Sequence, residues 1–524
     1  MTNTELPVAG PDTARLRDAL LSASFTADGV LELLGAPAYA ALARNETVPA
    51  LRATRDGSPT AVLIRLFLLQ QPVPHGRAAA ALPAAVLDAA LADGWLRRDG
   101  DEVRATADVR PFSGPDGQDW WIVSDLGCAV GGTAGSRGRD PDVVLGVGGA
   151  STTLAGITVD GPAARALDIG TGSGIQALHL SRRAARVTAT DVNPRALRAA
   201  RLTLALSGAP GAELRQGSLY EPLRRAGQGA EPERFDLIVS NPPFVISPPA
   251  PPAAPAATGG AGRLTYRDGG MAGDELCRAL VRGSAAHLTE GGWCQLLANW
   301  EHTDGQDWRE RVAGWVPAGC EAWIVQREQQ DVTEYIELWL RDAGLRPESE
   351  EYAVRYDAWL EDFAGRRTRG VGFGWITVRR TGASGAGAVV AEEWPHAVRQ
   401  PLGRTVREHF ARREFLRGHD DAALLQTRFL LADGVVQEQI GEPGAEHPEH
   451  LVLRQRHGMM RAMTVDTVAA GLAGSCDGTM TAGTIVDAIA RLLDQDPVVL
   501  RAAAPDVLRS LVQQGFLLPA GGER

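Results

Sequence analysis

The 524-residue chain carries 53 basic residues, all of them arginine, against 64 acidic ones, for a net charge of −11. That balance excludes a generally basic nucleic-acid coat, although charge acts region by region and local basic patches remain available. The length calls for two to four domains. The five cysteines (128, 277, 294, 320 and 476) have no CxxC spacing, so neither a zinc site nor a disulfide framework is indicated.

The opening "MTNTELPVAGPD" is polar and acidic, unlike a signal peptide. No apolar run reaches the ~18 uncharged residues that a membrane-spanning helix needs. The expectation is a soluble cytoplasmic protein. Residues 12–110 read as mostly helical, with helical apolar spacing at Val86, Leu87, Ala90 and Leu91. Asp99-Gly100 then marks a tight turn between short strands. Helices followed by a small hairpin predict a winged-helix-like N-terminal domain over 1–110. Residues 111–160 form a Gly-rich, irregular connector on the substrate side, in which Trp120 and Trp121 are expected to pack in a core.

From 161 to 383 strands and helices alternate. Strands are predicted at 165–169, 186–190, 213–216, 235–240, 292–298, 322–327 and 371–379, with helices between most of them, such as 194–206 and 274–288. Such alternation predicts an α/β, Rossmann-like, doubly wound sheet of seven strands. "PPAPPAAPA" (248–256) is a Pro-rich loop. The segment Ser247 to Gly262 directly follows a stiff turn and is expected to gate the site. Residues 384–524 read as a C-terminal helical domain that resembles the winged-helix-like N-terminal unit in layout. It opens on the arginine-dense helix "GRTVREHFARREFLRG" (403–418) and ends in helices and a short strand.

"ALDIGTGSGIQALHL" (166–180) is a strand, a turn with Gly170, Gly172 and Gly174, and a helix. Glycines let backbone approach a ligand, and the helix N-terminus offers free N–H groups. Asp191 ends the next strand, where a carboxylate can accept both ribose hydroxyls of an adenosine. A dinucleotide and S-adenosylmethionine both fit this much. The G-x-G-x-G spacing after Asp168 resembles motif I of class I S-adenosylmethionine-dependent methyltransferases. The resemblance implies that Asp168 lies near the sulfonium and amino-acid end of the cofactor and that Asp191 holds the ribose. It assigns cofactor contacts to Asp168, Gly170, Thr171, Gly172, Gly174, Asp191, Val192, Ser218, Leu219 and Asn241. "DVNPRAL" (191–197) and "GSLYEPL" (217–223) resemble the following motifs. Relatives that methylate glutamine often have Asp where Ser218 stands.

"DLIVSNPPFVI" (236–246) stops a strand on an asparagine and then stiffens the chain with two prolines, which fix φ and remove donors. Asn241-Pro242-Pro243-Phe244 resembles the motif of enzymes that methylate planar NH2 groups: adenine N6, guanine N2 and glutamine N5. The resemblance makes Asn241, Pro242 and Phe244 the catalytic residues and Pro243, Phe244 and Tyr266 the substrate contacts. The Asn241 side-chain oxygen and the Pro242 carbonyl would each accept one N–H of the reacting nitrogen, while the Phe244 ring would stack on the substrate plane. No metal is required. The stretch 263–300, with an Asp274-capped helix and "LTEGG" before a strand, resembles the glutamine and guanine enzymes. The resemblance covers roughly 160–300.

The reading is an N-methyltransferase for a macromolecule. Arginine clusters (Arg366, Arg367, Arg369; Arg404, Arg407, Arg412, Arg413, Arg417) and the winged-helix-like flanks slightly favour an RNA base. A protein glutamine is the alternative, followed by a small biosynthetic substrate and by an inactive S-adenosylmethionine-binding scaffold.

Overall fold

The computed structural model describes residues 5–127, 142–224, 231–248, 267–382, 385, 387–443 and 448–521. It divides into two compact units, Met1–Ala155 with Gly161–Pro395, and Gly156–Asp160 with His396–Arg524.

The first unit begins with α1 (Thr13–Ser22), α2 (Ala27–Ala43), α3 (Val48–Ala53) and α4 (Pro59–Leu63), the last running into a π turn at Ile64–Leu68. Then come β1 (Val73–Pro74), α5 (His75–Ala81), α6 (Ala84–Ala92), β2 (Leu96–Asp99) and β3 (Glu102–Ala105). The three strands pair in the order β1-β3-β2, and Gly100, at φ 64°, makes the β2–β3 turn.

The connector is more ordered than its glycine content suggests. It contains an antiparallel hairpin, β4 (Asp108–Ser113) with β5 (Asp119–Ser124), and helix α7 (Gly149–Ile157). β5, "DWWIVS", is buried along almost its whole length, which is why it shows no polar alternation. It leans on the sheet layer: Trp121 N donates to Ser207 Oγ at 3.0 Å and Val123 N to Thr203 Oγ1 at 2.9 Å. On the other side the Trp121 indole N–H reaches the Phe25 carbonyl at 2.8 Å. Both tryptophans are core residues, as expected. One apolar cluster therefore runs from Leu20, Phe67 and Trp95 through Trp121 to Ala199 and Leu202.

The sheet is built from β6 (Ala163–Ile169), α8 (Ile175–Leu180), β7 (Ala184–Asp191), α9 (Pro194–Leu206), β8 (Glu213–Gln216), β9 (Phe235–Ser240), α10 (Glu275–His287), β10 (Leu288–Thr303), α11 (Trp308–Ala313), β11 (Cys320–Asp331), α12 (Val332–Asp342), α13 (Glu350–Arg366) and β12 (Thr368–Arg380). An eighth strand, β13 (Val389–Glu393), joins β11 in parallel. The seven predicted strands are all present, in the order β13-β11-β12-β10-β9-β6-β7-β8. β13 escaped the sequence reading because a five-residue, partly exposed edge strand lacks the continuous apolar run of the central ones. β12 is antiparallel to both neighbours and the other neighbour pairs are parallel. This is a doubly wound sheet with one reversed strand.

Asp274 stands at the N-cap of α10 but does not cap it. Its carboxylate takes both guanidinium nitrogens of Arg311, at 2.6 and 2.7 Å, and the Glu301 N–H at 2.9 Å. A bidentate guanidinium outcompetes a backbone N–H for a buried carboxylate.

The second unit holds α14 (Gly403–Arg417), α15 (Asp421–Gln426), β14 (Arg428–Leu431), a three-stranded meander β15 (Val435–Ile440), β16 (His450–Gln455) and β17 (Ala462–Val465), then α16 (Thr467–Gly474), β18 (Asp477–Thr481), α17 (Ala482–Leu492), α18 (Pro497–Gln514) and β19 (Leu517–Pro519). A second small sheet pairs in the order β18-β14-β19. Its core gathers Phe429, Ile485, Leu508, Leu511 and Phe516. Among the described residues no single helix is long and apolar enough to cross a membrane.

Gly174 and Gly170 provide a paired stability test. Gly174 has φ 87°, and a Cβ there would lie 2.9 Å from the Ala200 Cα. Gly170 has φ 73° with nothing within 4 Å of its Cβ position. Gly170→Ala should cost only the left-handed backbone term, about 1–2 kcal/mol. Gly174→Ala adds overpacking of α8 on α9 and should cost about 3 kcal/mol. Urea denaturation followed by tryptophan fluorescence measures both, and equal losses would contradict the close approach.

Candidate active site

A cavity of about 370 Å³ opens at the carboxyl ends of β6, β7 and β9. Crevices at this edge of an open parallel sheet are where such folds bind ligands. One end is the glycine turn. Gly170 N and Thr171 N both donate to the Thr190 carbonyl, at 2.9 and 3.0 Å, which bends the chain after β6 over the end of β7. Asp191 then ties three pieces together. Its Oδ2 accepts Gly172 N at 2.9 Å and its Oδ1 accepts Asn193 N at 2.9 Å. Asn193 caps α9 through its own side chain, accepting Arg195 N at 2.9 Å.

The upper wall comes from a stretch that the sequence reading did not single out. Val143, Val144 and Leu145 line the cavity. They are held by Asp125, which accepts Val144 N at 2.9 Å while forming a two-pronged ion pair with Arg195. Asn193 Nδ2 adds a bond to the Asp142 carbonyl at 2.9 Å. The signal in the sequence was faint: an aspartate after β5 and an arginine in the first turn of α9, seventy residues apart.

Asp168 is fully buried under the turn. Its Oδ2 accepts Ala177 N at 3.1 Å, and its Oδ1 has no hydrogen-bond partner. Burial pushes its carboxyl up to about 7, against the opposing pull of the Ala177 N–H. Burial also raises Asp191, opposed by the N–H groups of Asn193, Gly172 and Val192. The hydroxyls of Thr171 and Thr190 are likewise buried without partners. Unmet polar atoms of this kind call for a ligand or water. Cβ positions at Gly170 and Gly172 meet nothing within 4 Å, so the turn is shaped to leave room beside it. Val192, 47 % exposed, lines the cavity together with Ser218 and Leu219, so an apolar side chain faces the open space beside the Asp191 carboxylate.

The other end is the acceptor turn. Asn241, Pro242 and Pro243 line the cavity at the end of β9. Ser240 Oγ donates to the Ile169 carbonyl at 2.8 Å and pins this turn to β6. Asn241 Nδ2 donates to Ser151 Oγ at 3.4 Å, and no described residue donates to its Oδ1. Phe244 is placed elsewhere: it is not a lining residue, and its ring packs on the cluster that contains Leu223, Phe235 and Trp300. Its backbone bridges to Asp268, and Val245 N donates to the Arg267 carbonyl at 3.1 Å. These contacts join the residues on either side of 249–266, and α12 holds both: Tyr335 Oη accepts Ile246 N at 2.9 Å, and Arg267 Nη1 donates to the Trp339 carbonyl at 3.0 Å. Tyr266 and nearly all of the expected gate lie outside the described residues.

The cavity thus gathers Gly170, Thr171, Gly172, Asp191, Val192, Ser218, Leu219, Asn241, Pro242 and Pro243, while Asp168 lies buried behind the glycine turn and is not a lining residue. Gly174 sits behind the turn as the N-cap of α8. The structure adds Ser151, Gln176 and Asp268, which have no recognisable spacing to the motifs. Asp268 is 6 % exposed and paired to Arg267 at 3.3 Å.

Residues 149–250 match the methyltransferase small domain. Residues 22–106 and 407–519 match two families described as domains of unknown function (DUF7059 and DUF7782). The chain is 36 % identical over 140 residues to a release factor glutamine methyltransferase of Xylella fastidiosa, covering 26 % of this chain and 47 % of that one. It is 40 % identical over 134 residues to the enzyme of that name from Cereibacter sphaeroides, covering 25 % and 45 %. A ribosomal RNA small subunit methyltransferase C of Klebsiella pneumoniae is 30 % identical over 137 residues, covering 26 % and 31 %. The chain therefore spans less than half the length of these curated relatives.

Asp168 makes a pH prediction. With its carboxyl at about 7, the empty site holds a proton there at pH 6 and largely loses it by pH 8. A ligand that brings an ammonium group to Asp168 favours the carboxylate, so binding releases a proton and affinity rises with pH through 7. Calorimetry with S-adenosylhomocysteine should show binding weakening about tenfold per pH unit below 7. Asp168→Asn should flatten the profile.

Proposed function

We propose that this chain is an S-adenosylmethionine-dependent N-methyltransferase acting on a planar NH2 group of a macromolecule. The observation that carries the proposal is the charge of the cavity. Its described lining includes two carboxylates, Asp191 and Asp268, and no basic side chain, and the buried Asp168 lies directly behind the glycine turn. A dinucleotide would place its anionic pyrophosphate against them. S-adenosylmethionine carries a sulfonium and an ammonium against one carboxylate, so its net charge suits the lining. The orphan oxygens of Asp168 and Thr171 supply acceptors, and Asp191 retains lone pairs for ribose hydroxyls.

When bound, the cofactor supplies an electrophilic methyl on sulfur. The work of this chain's residues is then positional. Asn241 Oδ1 and the Pro242 carbonyl each accept one N–H of the acceptor. That aims the nitrogen lone pair and favours the positive charge that develops on nitrogen as the N–C bond forms and the S–C bond breaks. The surplus proton leaves to solvent. Phe244 supports this turn from the core side, so its role is packing of the acceptor turn, not stacking on the substrate.

Two macromolecular acceptors carry such a group, a nucleic-acid base and a glutamine amide. The ion pairs of the arginine clusters favour glutamine. Arg366 is committed to Glu301 and Asp362, at 2.8 and 2.6 Å, and Arg369 to Asp304 at 2.6 Å. Arg404 and Arg412 share Glu408, and Arg407 faces Asp160 at 2.9 Å. Each of these five cations has a carboxylate beside it, which weakens the positive field that a phosphate backbone needs. We read 59–105 as a winged-helix unit, from its helix–strand–helix–helix–hairpin order. Its last helix, α6, exposes Ala84, Ala85 and Asp88, chemistry for a protein and not a phosphate backbone.

Methyl-labelled S-adenosylmethionine incubated with cell lysate tests this reading. Label should survive RNase and vanish with protease; the reverse result assigns an RNA base. Asn241→Ala should cut the rate of labelling at least ~100-fold, the scale of one preorganised transition-state partner. Cofactor affinity should change little. Normal turnover in Asn241→Ala would exclude a hydrogen-bonded NH2 acceptor.

A further inference from the structure

Ser151 lies in the first turn of α7 and lines the cavity beside the acceptor turn. It is held from behind: Gln176, 4 % exposed in α8, donates its Nε2 to the Ser151 carbonyl at 2.7 Å. From the front, its hydroxyl meets one end of the Asn241 amide, accepting from Nδ2 at 3.4 Å. The other end of the amide, Oδ1, has no described donor and belongs to the cavity lining.

A primary amide has a donor end and an acceptor end of nearly equal size, and a half-turn about its last bond exchanges them. The chemistry proposed for this cavity tolerates only one of the two orientations. An outward oxygen accepts a substrate N–H; an outward NH2 would set donor against donor. Neither the strand before Asn241 nor the prolines after it fix that bond, because they fix only backbone. Something must bond one end of the amide, and among the described residues Ser151 is its hydrogen-bond partner.

We propose that Ser151 is a positioning residue: its hydroxyl, carried on backbone that Gln176 holds, takes the Asn241 Nδ2–H and keeps the amide oxygen turned toward the site of methyl transfer. This rests on the methyltransferase reading of the same cavity. It also explains why the glycine-turn helix is bonded to α7 at all. Through Gln176 and Ser151, α8 sets the polarity of an acceptor turn on a different strand.

Sinefungin tests this without knowledge of the natural acceptor. It is an S-adenosylmethionine analogue with an amine at the position of the transferable methyl, so an outward Asn241 oxygen should accept from that amine. S-adenosylhomocysteine lacks the group and serves as reference. The readout is the ratio of their dissociation constants, measured by calorimetry on the full chain. The wild type should favour sinefungin by about tenfold or more, the scale of a hydrogen bond to a charged donor. Ser151→Ala should bring the two ligands within about threefold of each other while S-adenosylhomocysteine affinity stays near wild type. Ser151→Thr, which keeps the hydroxyl, should retain the preference. Retained preference in Ser151→Ala, with loss in Asn241→Ala, overturns the role of Ser151 and leaves the cavity reading intact. A ratio unmoved by Asn241→Ala, or a wild type without preference, overturns the reading of Asn241 itself. Loss of S-adenosylhomocysteine binding in Ser151→Ala would make the serine part of the cofactor wall and would also overturn the proposal.

Discussion

The site depends on one carboxylate placed where two chain reversals meet. Asp191 ends β7 and takes one N–H from the glycine turn after β6 and one from the turn that starts α9. Those N–H groups would otherwise be unpaired at the crowded edge of the sheet, a cost of about 1–3 kcal/mol each. Satisfying them with a side chain leaves the backbone carbonyls of β7 free for their own work, and Thr190 uses its carbonyl to bend the glycine turn inward. The same carboxylate still faces the cavity with unused lone pairs. A group that builds the turn is therefore also the group presented to a ligand, and the turn cannot form in its observed shape without placing the acid there.

The acceptor end follows a different logic. It has no regular structure of its own, only two prolines, a backbone bridge from Phe244 to Asp268 and neighbours that hold it. The helical insert between β11 and β12 supplies much of that support. Its aromatic cluster of Tyr335, Trp359 and Phe363 packs against Val245 and Ile246 immediately after the turn. The Tyr335 hydroxyl does two further jobs, accepting Ile246 N at 2.9 Å and Asn299 Nδ2 at 3.2 Å, and so links the acceptor turn to β10. Because β10 and β11 run parallel in the sheet, the insert emerges at the same carboxyl edge as the cavity. Its position is thus a consequence of the reversed β12, which returns the chain from that edge.

The sheet was legible in the sequence because its signals are local. Central parallel strands are buried on both faces and read as continuous apolar runs, and the helix 194–206 carries its cap and proline at the boundary. The glycine turn, Asp191 and Asn241 were legible for the same reason. What was not legible is long-range. The wall at Val143–Leu145 needs Asp125 to find Arg195, and Ser151 needs the fold to bring α7 between α8 and β9. Asp274 looked like a cap, since nothing in its local sequence reveals Arg311 beside it. Phe244 looked like a platform, since a motif fixes which residue follows the prolines but not whether its ring turns outward. Local pattern identifies a residue's type of role; only packing decides its partner.

Charge decides what the cavity can hold. Asp168 and Asp191 both lie in a space from which burial excludes much of the water that would stabilise them, and burial raises both. In the ligand-free protein this is an unfavourable arrangement. Asp168, raised to about 7, contributes stability that is complete below the ordinary carboxyl range and fades as pH climbs through 7. A cationic ligand reverses the sign of that term, because each acid it approaches becomes easier to ionise. On the proposed function, the unfavourable charge of the free site is a source of selectivity: it disfavours anionic nucleotides and is relieved by a sulfonium and an ammonium. After methyl transfer the sulfonium is gone, so the product keeps one cation where the cofactor had two. The carboxylates that would favour entry of such a cofactor would therefore hold its product less firmly, so that the charge that selects the ligand would also favour release.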